Sequence, residues 1–397
     1  MRLFRILMGE FFLAGALAFA GAGSAAAVEL GSFSFQTVTD PQMGIPMIKL
    51  FAPAGWRLTV NSDWNRCSAA SIGLGIVQLD APDGSRIVIT TSQRYDWSTS
   101  DMEQMVRRHP TMRRFYRGAM NNHTPGCDLP HRVFYLPYES LDAYARFFWD
   151  NSGYRLTDLR NADDGTLKAS YVKRVTPYLQ RRVQEETELT RKLSKVSVTG
   201  MFADMAVLRG YAARKDGSGT EVTEQMVNVY GYSTSVQLGE AKLDSMAWEP
   251  AVIAFFAPSM ERFRANYQVF RSVVDNSRFM PQWSFVRDHL GQRMALAVLN
   301  GMNLAQQEIL ELQRQAWAEA QQKDLSSPSY SSSQVTEAIS DTIYGRNDYT
   351  DGEGNHFKVD TGYSVYLDSD NNYHVVEENT QVPDSYQLVK PNTIGQY

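Results

Sequence analysis

The stretch SVTGMFADMAVLRGYAARKDGSGTEVTEQMVNVYGYSTS, residues 197–235, determines the fold class. Two strand-like runs, Ser197 to Arg214 and Glu221 to Ser235, flank Asp216-Gly217-Ser218-Gly219, whose residues are typical of a hairpin turn. A third run, Met246 to Phe256, follows and can pair as the next strand. The stretch therefore predicts an antiparallel sheet.

A second set of strands is predicted upstream, between Gly31 and Arg94. Short apolar and alternating runs are separated there by the turn sequences Pro53-Ala54-Gly55 and Pro82-Asp83-Gly84. Such runs joined by turns are typical of antiparallel strands in hairpins.

Helices are predicted between and after these strands, from N-capping residues and from apolar residues spaced three and four apart. They cover Asp101–Arg108, Tyr138–Asp150, Tyr171–Lys195 and a segment that begins at Ser259 and ends before Pro281. Pro177 predicts a bend in the third segment, or its division into two helices. Strands and helices together predict an α+β protein, an antiparallel sheet flanked by helices.

Residues 284–323 predict one long amphipathic helix, because apolar side chains recur there at spacings of three, four and seven. They are Leu290, Met294, Val298, Ala305, Ile309, Leu312 and Ala316. We expect this stripe to pack in the protein's own core and to brace the sheet domain against the strands that follow. A partner helix is the alternative, but Gly291 and Gly301 weaken a coiled-coil seam.

The chain divides into five predicted segments. They are a signal peptide (1–27), an α+β domain with a helical insertion (28–283), the long helix (284–323), a Ser-rich linker (324–340) and a small all-β module (341–397). Turn sequences at 351–355 and 368–372 support the strands of the last segment.

The first 27 residues have the features of a cleavable signal peptide. Arg2 and Arg5 precede the apolar run from Phe11 to Phe19, and small residues end at Ala27. A membrane anchor is the alternative, but a span needs about 20 apolar residues. We therefore expect cleavage after Ala27 and a periplasmic or secreted protein without a transmembrane segment.

The charge of the chain argues against a nucleic-acid partner. The net charge is −5 at pH 7, and basic residues are not concentrated over the whole sequence. We expect a monomer without a cofactor or a bound metal, and a partner that is an envelope protein or an acidic envelope polymer.

Cys67 and Cys127 are the only cysteines in the sequence. In an exported chain they can form one disulfide, which would stabilise the fold by about 4 kcal/mol in the chain-entropy model. Two unpaired thiols are the alternative. We predict the disulfide, because both cysteines are in polar segments.

Three quoted segments carry a resemblance to a known family. PMIKLFAPAGWRL (46–58), LDAPDGSRIVI (79–89) and the strand and helix of residues 249–283 are similar to exported bacterial proteins with a PsbP-like domain. Residues 342–378 look like a small β module often appended to them. The resemblance implies a binding or accessory role rather than catalysis, and it assigns no functional residue. The charged segment Tyr171 to Lys195 departs from the simple family pattern.

The clearest electrostatic feature is RRHPTMRRFYRG, residues 107–118. Five arginines are interleaved there with Phe115 and Tyr116, and together they form a candidate anion-binding patch: Arg107, Arg108, Arg113, Arg114 and Arg117. Such a patch can meet phosphate or carboxylate groups. A solvated surface is the alternative interpretation.

Catalytic and metal-binding motifs are weak throughout the sequence. The six histidines lack metal-ligand spacing, although His123 and His131 lie near Asp128. Gly231–Ser235 lacks the final glycine of the G-x-S-x-G nucleophile elbow. Ser170-Tyr-Val-Lys173 matches the S-x-x-K pattern of penicillin-recognising serine enzymes, but a match of this kind is expected by chance in a chain of this length. Asp368, Asp370 and Asn372 imitate part of a calcium loop, but a hairpin turn explains them better.

We therefore interpret the chain as an exported, non-enzymatic accessory or binding protein of the bacterial envelope or extracellular space. The alternative is an envelope-acting hydrolase whose catalytic residues are dispersed along the chain and meet only in space.

Overall fold

The computed structural model describes residues 29–64, 73–98, 138–163, 165–191, 196–238, 241–299, 306–322, 346–351, 355–360, 362–378 and 380–390. The strands are β1 (Glu29–Thr39), β2 (Pro46–Pro53), β3 (Arg57–Trp64), β4 (Gly73–Asp80), β5 (Arg86–Thr90), β6 (Tyr95–Ser98), β7 (Tyr154–Asn161), β8 (Val196–Arg214), β9 (Thr220–Leu238), β10 (Ala241–Ala257), β11 (Arg278–Phe279), β12 (Arg346–Thr350), β13 (His356–Asp360), β14 (Tyr363–Leu367), β15 (Tyr373–Glu377) and β16 (Gln387–Val389). The helices are α1 (Leu141–Asn151), α2 (Thr166–Arg191), α3 (Met260–Asn276), α4 (Pro281–Leu299) and α5 (Gln306–Gln322). The α+β class is confirmed.

The larger sheet has the antiparallel order β3-β4-β5-β10-β9-β8-β7, and β6 also pairs with β10. The segment quoted first forms the β8–β9 hairpin of this sheet, next to the central strand β10. The predicted hairpin at 216–219 is confirmed, because Ala213 pairs with Thr220 across the turn. Gly217 has a φ of +78°, and Asp216 accepts a hydrogen bond from the Ser218 amide. This is the backbone geometry for which glycine and aspartate are suited.

Successive side chains of β9 point to opposite faces of the larger sheet, and both faces are covered by packed apolar residues. Val227 and Val229 pack in one cluster with α1 residues such as Trp149. Met226 and Tyr230 pack on the opposite side, in the cluster that includes residues of α2, α3 and α4. The core is therefore layered, with α1 on one face and the remaining helices on the other.

The second sheet joins the two ends of the described chain. Its order is β11-β2-β1-β15-β14-β16, and Phe33 of β1 pairs with Tyr373 of β15. The Phe33 and Phe51 rings stack at 4.8 Å, and Phe35 contacts Tyr373 edge-on at 5.5 Å. The strands after residue 341 therefore do not form a separate all-β module as expected. β14–β16 complete a sheet with N-terminal strands, and β12–β13 form a two-stranded ribbon.

The predicted continuous helix at 284–323 is wrong, because α4 and α5 pack side by side, whereas residues 26 positions apart in one straight helix would be separated by about 39 Å. The two helices contact each other: Arg293 of α4 lies 2.9 Å from Glu319 of α5. This arrangement lets both helices cover apolar side chains, including Leu290 and Ala316, which are completely buried. The expectation that the stripe packs in the protein's own core is confirmed for the members whose side chains are described, which are Leu290, Met294, Leu312 and Ala316.

The helix that contacts both the larger sheet and the C-terminal strands is α3, which packs against β10, β2 and β13. Ser259 caps its N-terminus by accepting a hydrogen bond from the Arg262 amide. Phe263, Phe270 and Val274 bury its apolar face, as the spacing predicts. The brace expected from residues 284–323 is thus largely supplied by the preceding helix.

The helical segment around Pro177 is a single helix, since α2 runs from Thr166 to Arg191. Its start is capped by Asp163, whose carboxylate accepts hydrogen bonds from the amides of Leu167 and Lys168. None of the helices in the described ranges is long and apolar enough to cross a membrane.

Candidate ligand-binding cleft

The residues singled out for anion binding and for the disulfide lie outside the described residues. Arg107, Arg108, Arg113, Arg114 and Arg117 belong to this group, as do Cys67, Cys127 and the predicted helix Asp101–Arg108. The signal peptide and the histidines at 109, 123 and 131 lie outside them as well.

The weak catalytic motifs fall on regular secondary structure. Ser233 lies inside β9, which continues to Leu238. The strand-to-turn-to-helix geometry of a nucleophile elbow is therefore not formed there. Ser170 and Lys173 lie on α2, and the Lys173 side chain is exposed.

Asp368 organises the turn between β14 and β15, so the hairpin interpretation is confirmed. Its carboxylate accepts hydrogen bonds from the amides of Asp370 and Asn372 and lies 2.8 Å from His374 Nε2. The His374 hydrogen bond and the Asn372 amide hold the pKa of the Asp368 carboxyl far below its usual value. The Asp368 carboxylate therefore stabilises the turn between β14 and β15.

His289 is the other histidine whose surroundings are described. Its Nε2 accepts a hydrogen bond from Arg293 Nε at 2.8 Å and lies 3.4 Å from a Glu319 oxygen. This contact joins α4 to α5. Within the described ranges, histidine, cysteine and acidic side chains form no group that could hold a metal ion.

A shallow cleft lies between α3 and the C-terminal strands, and the space that it encloses is about 10 Å³, close to that of one water-sized sphere. One wall is a face of α3 with side chains at positions i, i+3, i+4 and i+7, and the other comes from β13 and β14. The lining residues are Gln268, Arg271, Ser272, Asp275, Lys358, Val359 and Tyr363. This volume is far below the range of about 300–1,000 Å³ of small-molecule sites, so a ligand could contact only the polar side chains at the mouth of the cleft.

Hydrogen bonds fix the distance between the two walls. The Asn276 side-chain amide donates to the Lys358 carbonyl at 3.0 Å and accepts from the Lys358 amide at 2.6 Å. Asn276 is itself buried, and its amide also donates to the Ser272 carbonyl. The C-terminal end of α3 and β13 therefore move as one unit around the cleft.

A series of hydrogen-bonded polar side chains connects the cleft to the larger sheet. Glu224, which is completely buried, accepts a hydrogen bond from the Tyr267 hydroxyl at 2.9 Å and another from Arg209 Nε at 2.9 Å. Burial raises the pKa of Tyr267, Glu224 adds to that rise, and Arg271 opposes it through its own contact with the hydroxyl. Arg271 is therefore linked through the Tyr267 hydroxyl to Glu224 on β9 of the larger sheet.

The charges of the cleft favour an anion. Arg271 and Lys358 supply two cationic side chains, and Asp275 supplies one carboxylate. Ser272 and Asp275 are both buried, at 8% and 7% exposure, so the floor of the cleft is shielded from solvent. Electrostatic interactions are stronger in such a place than on an open surface.

Sequence reasoning identified the apolar face of α3 but not this polar one. The signal was present, since Gln268, Arg271, Ser272 and Asp275 repeat at helical spacing along one line. The opposite wall gave no local signal, because Lys358 and Tyr363 come from strands far along the chain.

By its fold this is an α+β protein with two large antiparallel sheets, a two-stranded ribbon and a small polar cleft between α3 and the C-terminal strands. No family model, curated protein or solved structure matches the chain.

Proposed function

We propose that this chain is a non-enzymatic binding protein of the bacterial envelope or extracellular space. In this proposal the polar side chains at the mouth of the cleft beside α3 bind a single anionic group, a carboxylate, on an acidic envelope polymer. The PsbP-like character of the sheet domain belongs to the same proposal and rests on the quoted segments 46–58, 79–89 and 249–283.

The observation that carries the proposal is the paired placement of Arg271 and Lys358 on two walls that are hydrogen-bonded together. Because the backbones that carry the two cations are already held together, binding of an anion orders the two side chains alone, and this favours affinity. The contact involves only the mouth of the cleft, so a polymer would be bound at one acidic unit at a time.

The binding experiment uses the peptides tetraglutamate and tetraglutamine as matched anionic and neutral probes, titrated into the protein by calorimetry. We expect tetraglutamate to bind, tetraglutamine not to bind, and affinity to fall as salt rises to about 0.15 M. Arg271→Gln should weaken binding about tenfold, because a charged hydrogen bond is lost.

The matched control is Arg264→Gln, since Arg264 lies on the same helix with an exposed side chain. It carries the same charge change and should leave the affinity unaltered. Equal losses in the two variants would show that only net charge matters, and the cleft would then be rejected as the site.

Export is the part of the proposal that rests on the N-terminal sequence. Protein for the titration is therefore purified from the periplasm or medium of a bacterial host and its intact mass is measured. We expect a chain that begins at Val28 or within a residue or two of it. Recovery of the full-length chain in the membrane fraction would contradict export.

A further inference from the structure

The outer edge of β8 is paired over only part of its length. β7 covers it from residue 208 to residue 214, and no described strand lies beside residues 196–207 on that side. α2 packs against β8, yet Thr199, Gly200 and Met201 are all exposed. Because successive side chains of a strand point to opposite faces, three exposed residues in a row show that both faces and the edge are accessible there.

Backbone hydrogen bonds show which groups of β8 point outward. The Val207 carbonyl accepts a hydrogen bond from the Ala162 amide, which lies outside the β8–β9 pair. The ladder with β9 is regular over residues 200–213, so every second residue counted back from Val207 points its amide and carbonyl to the same side. Met201 and Ala203 therefore point theirs outward, and in the described structure these groups have no hydrogen-bond partner on that side.

This open edge, residues 200–204, is short and has defined ends. A bulge between Val198 and Gly200 interrupts the ladder before it. At the other end the Asp204 carboxylate accepts a hydrogen bond from the Met205 amide and lies 2.8 Å from Lys168 Nζ. The next outward-facing amide is therefore already satisfied by a side chain.

The other edges of the larger sheet carry features that hinder strand addition. β7 has the exposed Arg155 and Arg160 and a bulge in which Asp158 has a φ of +53°. β3, at the opposite edge, has the exposed Arg57 and Asp63. Charged side chains and bulges are common means of preventing an edge from pairing with another strand. Residues 197–203 contain no charged side chain, so two copies of this segment can approach without repulsion.

We propose that the open edge pairs with the same edge of a second copy of this chain, which joins the two larger sheets across a two-fold axis. In an antiparallel pair centred on Phe202, Met201 lies opposite Ala203 of the partner subunit, and Ala203 lies opposite Met201 of the partner subunit. Each of these two pairs exchanges two backbone hydrogen bonds, so the outward groups of Met201 and Ala203 are all satisfied.

The side chains on both faces fit this register. Phe202 lies opposite Phe202 of the partner subunit in a non-hydrogen-bonded pair, where α-carbons are about 4.5 Å apart and aromatic side chains stabilise each other. On the other face the large, exposed Met201 meets the small Ala203 of the partner subunit. Asp204 lies opposite Gly200 of the partner subunit, and the space beside the Gly200 α-carbon is open. The edge is therefore complementary to itself, which favours a second copy as its partner and a dimer in place of the expected monomer.

Sedimentation velocity of the purified protein over about 1–100 μM measures the assembly. We expect a reversible dimer whose fraction rises over this range. Met201→Lys should raise the dissociation constant at least about tenfold, because an edge lysine hinders strand addition and the two new ammonium groups are diagonal neighbours in this register.

Tyr211→Lys is the matched control for the charge change. Tyr211 lies on the same strand and is 41% exposed, compared with 45% for Met201, but β7 already occupies the edge beside it. This variant should dimerise like the wild type. Because both side chains are exposed, both variants should keep the far-ultraviolet circular dichroism of the wild type.

Hydrogen exchange tests the register. The amides of Met201 and Ala203 should exchange more slowly at the highest protein concentration than at the lowest, and Met201→Lys should abolish the difference. The amides of Phe202 and Asp204 point towards β9 and should not change. A chain that stays monomeric over the whole range would overturn the proposal. So would equal weakening by the two lysine variants, or a dimer in which the Met201 and Ala203 amides gain no protection.

Discussion

At the scale of single residues, Asp40 joins three parts of the fold. Its carboxylate is completely buried and accepts hydrogen bonds from five donors. They are the amides of Gln42 and Met43, the Ser62 hydroxyl, and the indoles of Trp64 and Trp283. The loop after β1, the edge of the larger sheet and the start of α4 therefore meet at one side chain.

We predict that Asp40→Asn lowers the free energy of unfolding by about 2–5 kcal/mol, because an amide can accept at only one of the two oxygen positions. At least two buried donors then lose their partner. Urea unfolding followed by tryptophan fluorescence measures the change. Asp384→Asn, at an exposed position, is the control, and an equal loss in the two variants would disprove the role of Asp40.

The importance of Asp40 could not be predicted from the sequence. Asp40 precedes Pro41, so locally it indicates only a turn. Its partners Trp64 and Trp283 are scattered along the chain, and a single sequence does not show which distant indoles reach a given carboxylate. For the same reason the polar face of α3 could have been found, but not its pairing with Lys358.

At the scale of elements, the turn between β14 and β15 depends on an ionised carboxylate. The folded-state pKa of Asp368 lies below the usual value of about 3.9, so the charged form is the one that the fold stabilises. That contribution is fully present above about pH 4 and is lost as the pH falls towards the folded-state pKa.

We therefore predict that Asp368→Asn removes part of the acid sensitivity of the protein. The variant should be less stable than the wild type at pH 7, and the difference should shrink below about pH 4. Urea unfolding at several pH values measures this, with Asp370→Asn at the exposed neighbouring position as control. A difference that stayed constant across the pH range would contradict the prediction.

Elements were predictable where the signal was local. The turns at 216–219 and 368–372 and the helix start at Ser259 depend on adjacent residues, and the structure contains all of them. The pairing of β1 with β15 was missed, because strand alternation shows that a strand exists but not which edge it joins.

At the scale of the whole molecule, the shared second sheet predicts cooperative unfolding. β14–β16 were expected to form a separate module, which would melt separately. Because β15 pairs with β1, calorimetry of the full chain should show one transition that includes both ends. Two well-separated transitions would contradict this.

A chain that ends at Ser340 is the complementary variant. It lacks β12–β16 and exposes one edge of β1 together with the aromatic cluster around Phe33 and Phe51. We expect a lower melting temperature and aggregation, since an unpaired edge recruits other strands. An unchanged melting temperature would mean that the C-terminal strands contribute nothing to the stability of the rest.

The pairing of Phe33 with Tyr373 also sets an order of events during synthesis. The larger sheet draws its strands from residues 57–257 and can assemble once they have left the ribosome. β1 is made before all of these strands, yet one of its edges stays unpaired until residues 373–376 follow. Since contacts between distant residues form slowly, β1 is paired on both sides only near the end of synthesis, although it is made before the other described strands.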